Sequence, residues 1–340
     1  MKPILNMLWS LTIRLHLLAQ IGFVPGTQPI APVFEKSDLV CNCFVKSLSP
    51  LRAHIDGKCP GPARVRAVVE VRDAYRSRNA VERSIAVEFD QDKACVSGLQ
   101  HPLREGETAL MFLAASSSGI YIWADPYLAV IPFDSLPEIP GPLGLAKLRF
   151  ALTRILQQGK PDDQVRALQL LNGLDTIDQQ ALTTVAQASD SKDPRVALSA
   201  LAVLLKSDTP ESVKRLRAYL DGYRGGAEPD ALMNIQSDLG KVRDRRALRD
   251  IEALSASRFV EIRRGAMAAL EEMRSTESAP VLIERLDDPD SIVQQMAIIA
   301  LAQTFQKYGD YAPGIELFKR NPKKYIDLWK KWWAEEGPKQ

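Results

Sequence analysis

A short apolar motif recurs four times in the second half of this chain, and it restricts the possible folds more than any other feature. Val196, Ala200 and Leu204 carry the first copy; Ala231, Ile235 and Leu239 carry the second. Ile262, Ala266 and Leu270 make the third, and Val293, Ala297 and Leu301 the fourth. The copies start 35, 31 and 31 residues apart. Within each copy the apolar residues fall at i, i+4 and i+8, which is one face of an α-helix. So short and regular a period predicts stacked helical units rather than one globular core. Stacks of this kind present an extended binding surface.

Between the four marked helices lie three candidate partners, at 210–220, 245–254 and 279–286. The repeating unit is therefore a pair of antiparallel helices. Val165 stands 31 residues before Val196 and marks a degenerate first copy. Asp193-Pro194, Pro229-Asp230 and Pro289-Asp290 sit just before marked helices. There Asp can cap free N–H groups and Pro fits the first turn. Ala200, Ala266 and Ala297 leave room for close helix approach.

Asp288-Pro289-Asp290 followed by Val293, Ala297 and Leu301 resembles a HEAT repeat in its short bacterial form, and so does Ile262-Arg263-Arg264-Gly265-Ala266 with Ala269-Leu270. The resemblance implies an α-solenoid over 145–340. It says little about the ligand, because such arrays serve many binding roles. Some HEAT-like proteins modify DNA bases or attach chromophores. On that alternative Arg263 and Arg264, at the start of a repeat helix, become surface-binding candidates.

The first half carries a different period. Val65, Ala67, Val69 and Val71 alternate with Arg64, Arg66, Glu70 and Arg72, and Ile85, Val87 and Phe89 alternate with Ser84, Glu88 and Asp90. A period of two marks half-buried strands. Further strand candidates are 39–45, 109–114, 119–124 and 128–133. Five or six short strands within 28–136 predict a small OB-like β-barrel. The strand openings and the Cys41-Asn42-Cys43 triplet resemble the barrel of the tissue-inhibitor-of-metalloproteinase (netrin-like) family. That resemblance admits protease inhibition through a free amine at Cys41. Aromatics at Tyr75, Tyr121, Trp123 and Tyr127 suit a core better than a base-stacking platform. The Pro- and Gly-rich stretch 137–144 reads as a linker between barrel and helices.

Four cysteines, Cys41, Cys43, Cys59 and Cys95, all lie in the barrel half. Their even number fits disulfides in an exported domain, and three pairings are open. Cys41 and Cys43 point to one face of a strand, which favours bonds to other cysteines over a bond to each other. The spacing is poor for zinc. At the N-terminus, Lys2 and Arg14 precede an apolar run over 15–24 and a Gly26-Thr27 break. Residues 1–27 read as a signal peptide or N-terminal anchor, although the small-residue cleavage site is missing. The run is too short to span a bilayer, so no transmembrane helix is expected after cleavage.

Net charge is +2, so no whole-protein field points to nucleic acid. Only three histidines exist, His16, His54 and His101. No phosphate loop, His-Glu-x-x-His or Gly-x-Ser-x-Gly appears. The expectation is a non-enzymatic protein of the periplasm, cell envelope or extracellular space. It has no catalytic, metal or cofactor site, and it binds an unidentified protein through its concave helix faces. At the C-terminus, Tyr325, Trp329 and Trp332 form one stripe beside Lys323, Lys324, Lys330 and Lys331. A stripe of large aromatics there predicts a helix that caps the last repeat.

Overall fold

The structure is a computed structural model, and it describes residues 29–53, 62–90, 103–125, 130–226 and 228–337. The expected signal segment, Cys59, Cys95, Tyr127 and all three histidines lie outside these residues. The chain divides into two compact units, Pro25–Val203 and a second built on Leu204–Gln340.

The first unit holds the barrel. Its strands are β1 (Leu39–Ala53), β2 (Pro62–Ser77), β3 (Ser84–Asp90), β4 (Thr108–Ala115), β5 (Tyr121–Trp123) and β6 (Val130–Phe133). They pair in the order β1-β2-β3-β5-β4-β6, and an added β1–β4 ladder closes a ring of five. All neighbours are antiparallel except β3 and β5, which run parallel. Alternation dictates the filling. Cys41, Cys43, Val45, Val65, Ala67, Val69, Val87, Ala109, Met111 and Leu113 point inward and are buried. Tyr75 is fully buried too, and burial pushes its phenol far above the usual tyrosine range.

Two findings depart from the sequence reading of this half. Cys41 and Cys43 are bonded to each other, with Cα atoms 5.6 Å apart. Two residues of a regular strand span about 6.6 Å. The β1–β2 ladder is irregular at Val40/Cys41 and Asn42/Cys43, which brings the two Cα atoms into ordinary disulfide range. The second departure is a helix ahead of the barrel, α1 (Ile30–Lys36), which buries Ile30, Val33 and Phe34. It packs on β4, whose other-face residues Leu110 and Phe112 are buried as well. Fully burying a side chain of this size is worth roughly 2 kcal/mol, so this second layer adds materially to the barrel.

The stretch 137–144 is held against the barrel. Ile139 N donates to Asp73 Oδ2 at 2.8 Å, and Gly144 N donates to Tyr75 O at 2.6 Å. Gly144 has φ 151°, a region that glycine tolerates. It starts α2 (Leu145–Gln158), whose Lys147 Nζ reaches Asp73 Oδ1 at 2.6 Å and Ala74 O at 2.9 Å. Both side chains of that ion pair are nearly enclosed. In α3 (Pro161–Asn172), buried Asp163 accepts from the backbone N–H of Asp134 and Ser135 just after β6. The barrel and its first helices thus share satisfied polar contacts. α4 (Gln179–Ala188) is capped by Asp178, which accepts from Ala181 N at 2.8 Å. α5 (Pro194–Leu205) is buried at every position from Val196 onward.

The second unit repeats helical pairs. α6 (Pro210–Gly222) packs on α8 (Leu248–Leu254). In the other layer α7 (Pro229–Leu239) packs on α9 (Val260–Met273), and α9 packs on α11 (Ser291–Thr304). α10 (Ala279–Arg285) pairs with α11. The marked residues Ala231, Ile235, Leu239, Ile262, Ala266, Leu270, Val293, Ala297 and Leu301 are all buried. Close approach of α7 and α9 also depends on a glycine. A Cβ on Gly265 would stand 3.0 Å from Gln236 O. Asp290 caps α11 through Val293 N at 3.0 Å, as expected. For α7 the cap position is Glu228, which makes no side-chain cap bond, and Asp230 falls inside the first turn.

The chain closes with α12 (Ile315–Arg320) and α13 (Pro322–Glu335). Tyr325, Trp329 and Trp332 of α13 are buried. Trp329 Nε1 donates to Tyr311 O at 2.8 Å, and Trp332 lies 4.8 Å from the Phe305 ring at the end of α11. The aromatic stripe is a cap, as the sequence indicated.

Candidate functional site

The turns on one edge of the helical stack gather aromatic and cationic groups. Tyr219 stacks on Tyr223 at 5.4 Å, and Tyr223 meets Phe259 at 6.1 Å. The guanidinium of exposed Arg258 lies 4.5 Å from the Phe259 centroid and 5.6 Å from that of Tyr223. It also donates to Gly225 O at 2.7 Å and Tyr223 O at 3.2 Å. Arg224 Nη1 donates to Asp221 O at 2.8 Å. Both arginines therefore donate to main-chain carbonyls, and neither pairs with a carboxylate among the described residues. Burial raises the Tyr223 phenol above its usual range, Glu228 adds to the effect and Arg258 opposes it.

Local sequence explains the placement. Tyr219 and Tyr223 are four apart at the end of α6, so they stack along one face. Arg258-Phe259 forms the turn that precedes α9, and Phe259 is its N-cap residue. The sequence reading missed this cluster. Its only signal there is the i, i+4 tyrosine pair, because Arg258 and Phe259 join it from 35 residues away.

The expectation for Arg263 and Arg264 requires correction. Arg263 is buried, not on the surface. Its Nε and Nη2 grip Asp288 at 2.8 and 2.9 Å, and Nη1 donates to Ser257 O at 3.0 Å. Arg264 is half-buried and grips Asp290 through Nε and Nη2 at 3.1 and 2.7 Å. Arg263 and Arg264 lie in the first turns of α9 and meet Asp288 and Asp290 of the segment ahead of α11, so both charges are consumed by the junction. The arginines near 243–246 are also committed locally. Arg243 pairs with Glu272, Arg245 with Met273 O, and Arg246 with Asp244.

In the barrel, Tyr75 is buried and Trp123 stacks on Phe89 at 4.7 Å, so neither ring is free to receive a base. Cys41 is the third residue of β1, buried and paired in ladders on both sides. Its nitrogen is an amide, not an exposed amine. A cavity of about 370 Å³ in the first unit is lined by Gln157, Gln164, Thr184, Gln187 and Ser191 with Leu156, Ala188 and Val196. It offers neutral hydrogen-bonding groups only. Among the described residues no group of three or more His, Cys, Asp and Glu is placed to hold a metal, and no helix is long and apolar enough to cross a membrane.

The fold defines a class: a small five-stranded β-barrel followed by an α-solenoid of helical hairpins. Residues 220–302 match the family model of HEAT repeats, and the aromatic–arginine edge lies largely within that span. Among solved structures, the chain is similar to the complex of CpcE and CpcF of phycocyanin lyase from Nostoc sp. PCC7120. The identity is 18% and the TM-score 0.39, with 51% of this chain and 71% of that chain covered. A designed armadillo repeat protein is similar at 15% identity and a TM-score of 0.32, covering 53% of this chain and 95% of its own. No curated protein matches the sequence.

Proposed function

We propose that this chain is an exported, non-enzymatic scaffold that binds a protein partner through its HEAT-like repeats. The observation that carries this reading is the Tyr219–Tyr223–Phe259–Arg258 cluster on the solenoid edge. Tyr and Arg are the side chains most enriched at protein interfaces and at their energetic centres. Here they are already ordered by stacking and by main-chain hydrogen bonds, so little side-chain entropy remains to be lost on binding. The contact lies at the inter-helix turns rather than on the helix faces. Export is supported by the positive charge and apolar run of the N-terminal segment, and by cysteines that form a disulfide.

The test is site-specific photo-crosslinking in the organism of origin, with the reactive group at Arg224. A discrete protein adduct is expected, and it should vanish when Tyr223→Ala and Arg258→Ala are combined. Failure to obtain an adduct there or at other solenoid turns would sink the reading. Sequencing the mature N-terminus tests export separately; an intact Met1 in a cytosolic fraction would overturn it.

A further inference from the structure

Alternation on β2 places Arg64, Arg66, Glu70 and Arg72 on the outer face of the barrel, and pairing adds Lys46 from β1 and Arg83 beside β3. The ion pairs there are lopsided. Glu88 is shared by Arg64 at 3.0 Å and Arg66 at 2.9 Å, and Glu70 by Lys46 at 3.0 Å and Arg83 at 3.6 Å. Each carboxylate thus neutralises one of two cations. The cations also cover them: Glu88 is 12% exposed, against 48% for Arg64 and 43% for Arg66. Glu70 is 23% exposed, against 47% for Lys46 and 88% for Arg83. Arg66 first, and Lys46 first, hold the two carboxyls below the usual range, so both stay charged and keep the arrangement in place. Arg72 adds a further cation, whose charge acts on Glu70 but which makes no close ion pair among the described residues. It lies 4.3 Å from the Phe44 centroid and donates to Thr108 Oγ1 at 3.3 Å. Asp90 of β3 is the register partner of Arg64, and Glu105 at the rim accepts from Leu48 N at 2.7 Å. What faces solvent is a positive strip, and from Arg64 to Arg72 it runs roughly 26 Å at about 3.3 Å per residue.

We propose that this face binds a linear anionic polysaccharide. Arg64, Arg66 and Arg72 share one face of β2, with Val68 and Glu70 between them and Lys46 and Arg83 beside them, so the excess positive charge is spread along a length that an extended polyanion can follow. A nucleic acid fits less well, because single strands are held largely by bases stacking on open aromatic rings. The aromatic ring on this face is Phe44, and Arg72 already covers it. Tyr75 and Trp123 are turned to the core or to Phe89. The surface recognises charge and offers bases no platform. This site is separate from the solenoid edge and does not depend on it.

The full chain should be tested against heparin as the probe, by titration at two ionic strengths. Binding that weakens with salt is expected, since exposed charge pairs are screened. The combined variant Arg64→Ala/Arg66→Ala/Arg72→Ala should bind about tenfold more weakly or worse. The Arg→Lys triple variant keeps the charge and should retain binding, which separates lost recognition from lost folding. Lys323→Ala/Lys324→Ala, on the terminal helix, should bind like the parent. The proposal is overturned if heparin does not bind at low salt, or if the alanine triple binds as the parent does. Tighter binding of single-stranded DNA than of heparin at equal charge overturns it in favour of nucleic acid.

Discussion

Arg263 and Asp288 form a buried two-pronged ion pair between successive helical repeats, with Nε to Oδ2 at 2.8 Å and Nη2 to Oδ1 at 2.9 Å. Asp288 also accepts from Asp290 N at 2.9 Å, which ties the pair to the cap of α11. Removing one member of such a pair strands the other charge in the interior, at a cost of about 3–5 kcal/mol. Asp288→Ala should therefore lower the unfolding free energy of the second unit by that order. Arg263→Met combined with Asp288→Ala should recover much of it, because no charge is left unpaired. Urea unfolding followed by circular dichroism checks both. If the single variant is as stable as the parent, the junction is not held this way.

The Asp73–Lys147 contact makes a parallel statement about the barrel and its first helix. Lys147 Nζ is 2.6 Å from Asp73 Oδ1, and the same carboxylate accepts from Ile139 N. Lys147→Met keeps the aliphatic packing and leaves Asp73 buried without its cation. The expected loss is again about 3 kcal/mol. Limited proteolysis within 137–144 should accelerate in the same variant. Equal cleavage rates would show that the stretch is not held by this latch.

Acid should weaken helix α4 through Asp178. Arg149 first, and the backbone N–H of Ala181 next, hold its carboxyl below the usual range. A carboxyl with a lowered folded pKa contributes stability above its unfolded value, near 3.9, and loses it as pH falls through the folded value. The contribution should thus be constant at neutral pH and decline below about pH 4. Asp193 and Asp290, lowered mainly by Arg195 and Arg264 against the penalty of burial, act in the same window. Asp178→Asn should remove part of that acid-dependent loss in a thermal melt series; an unchanged pH profile counts against the assignment.

The Cys41–Cys43 bond is open to direct chemical test. Trypsin cutting after Lys36 and Lys46 leaves both residues on one peptide. Without reduction that peptide should run two hydrogens lighter than its dithiol form and resist alkylation. A peptide cross-linked to Cys59 or Cys95 instead would refute the pairing.

Much of the architecture was legible in the chain. Period-two alternation marked β2 and β3, the other strands were read as candidate segments around turns, and the 31-residue echo marked α7, α9 and α11 with their buried faces. The aromatic cap was readable because Tyr325, Trp329 and Trp332 share one stripe. The candidate sites were not readable. Arg263 and Arg264 look like free surface cations in sequence, yet the next repeat supplies Asp288 and Asp290 to consume them. Arg258 looks like an ordinary turn residue until Tyr223 arrives beside it.

The division follows from the range of the interactions. Hydrophobic periodicity is local, so the sequence by itself determined a β-barrel ahead of helical hairpins and the faces each element buries. Charge neutralisation, ring stacking and disulfide closure depend on which distant groups meet. The tertiary structure alone decided that Cys41 reaches Cys43 through an irregular ladder and that Arg263 is an interior residue. It also decided that Lys46 and Arg83 join Arg64, Arg66 and Arg72, which alternation had already put on one face of β2.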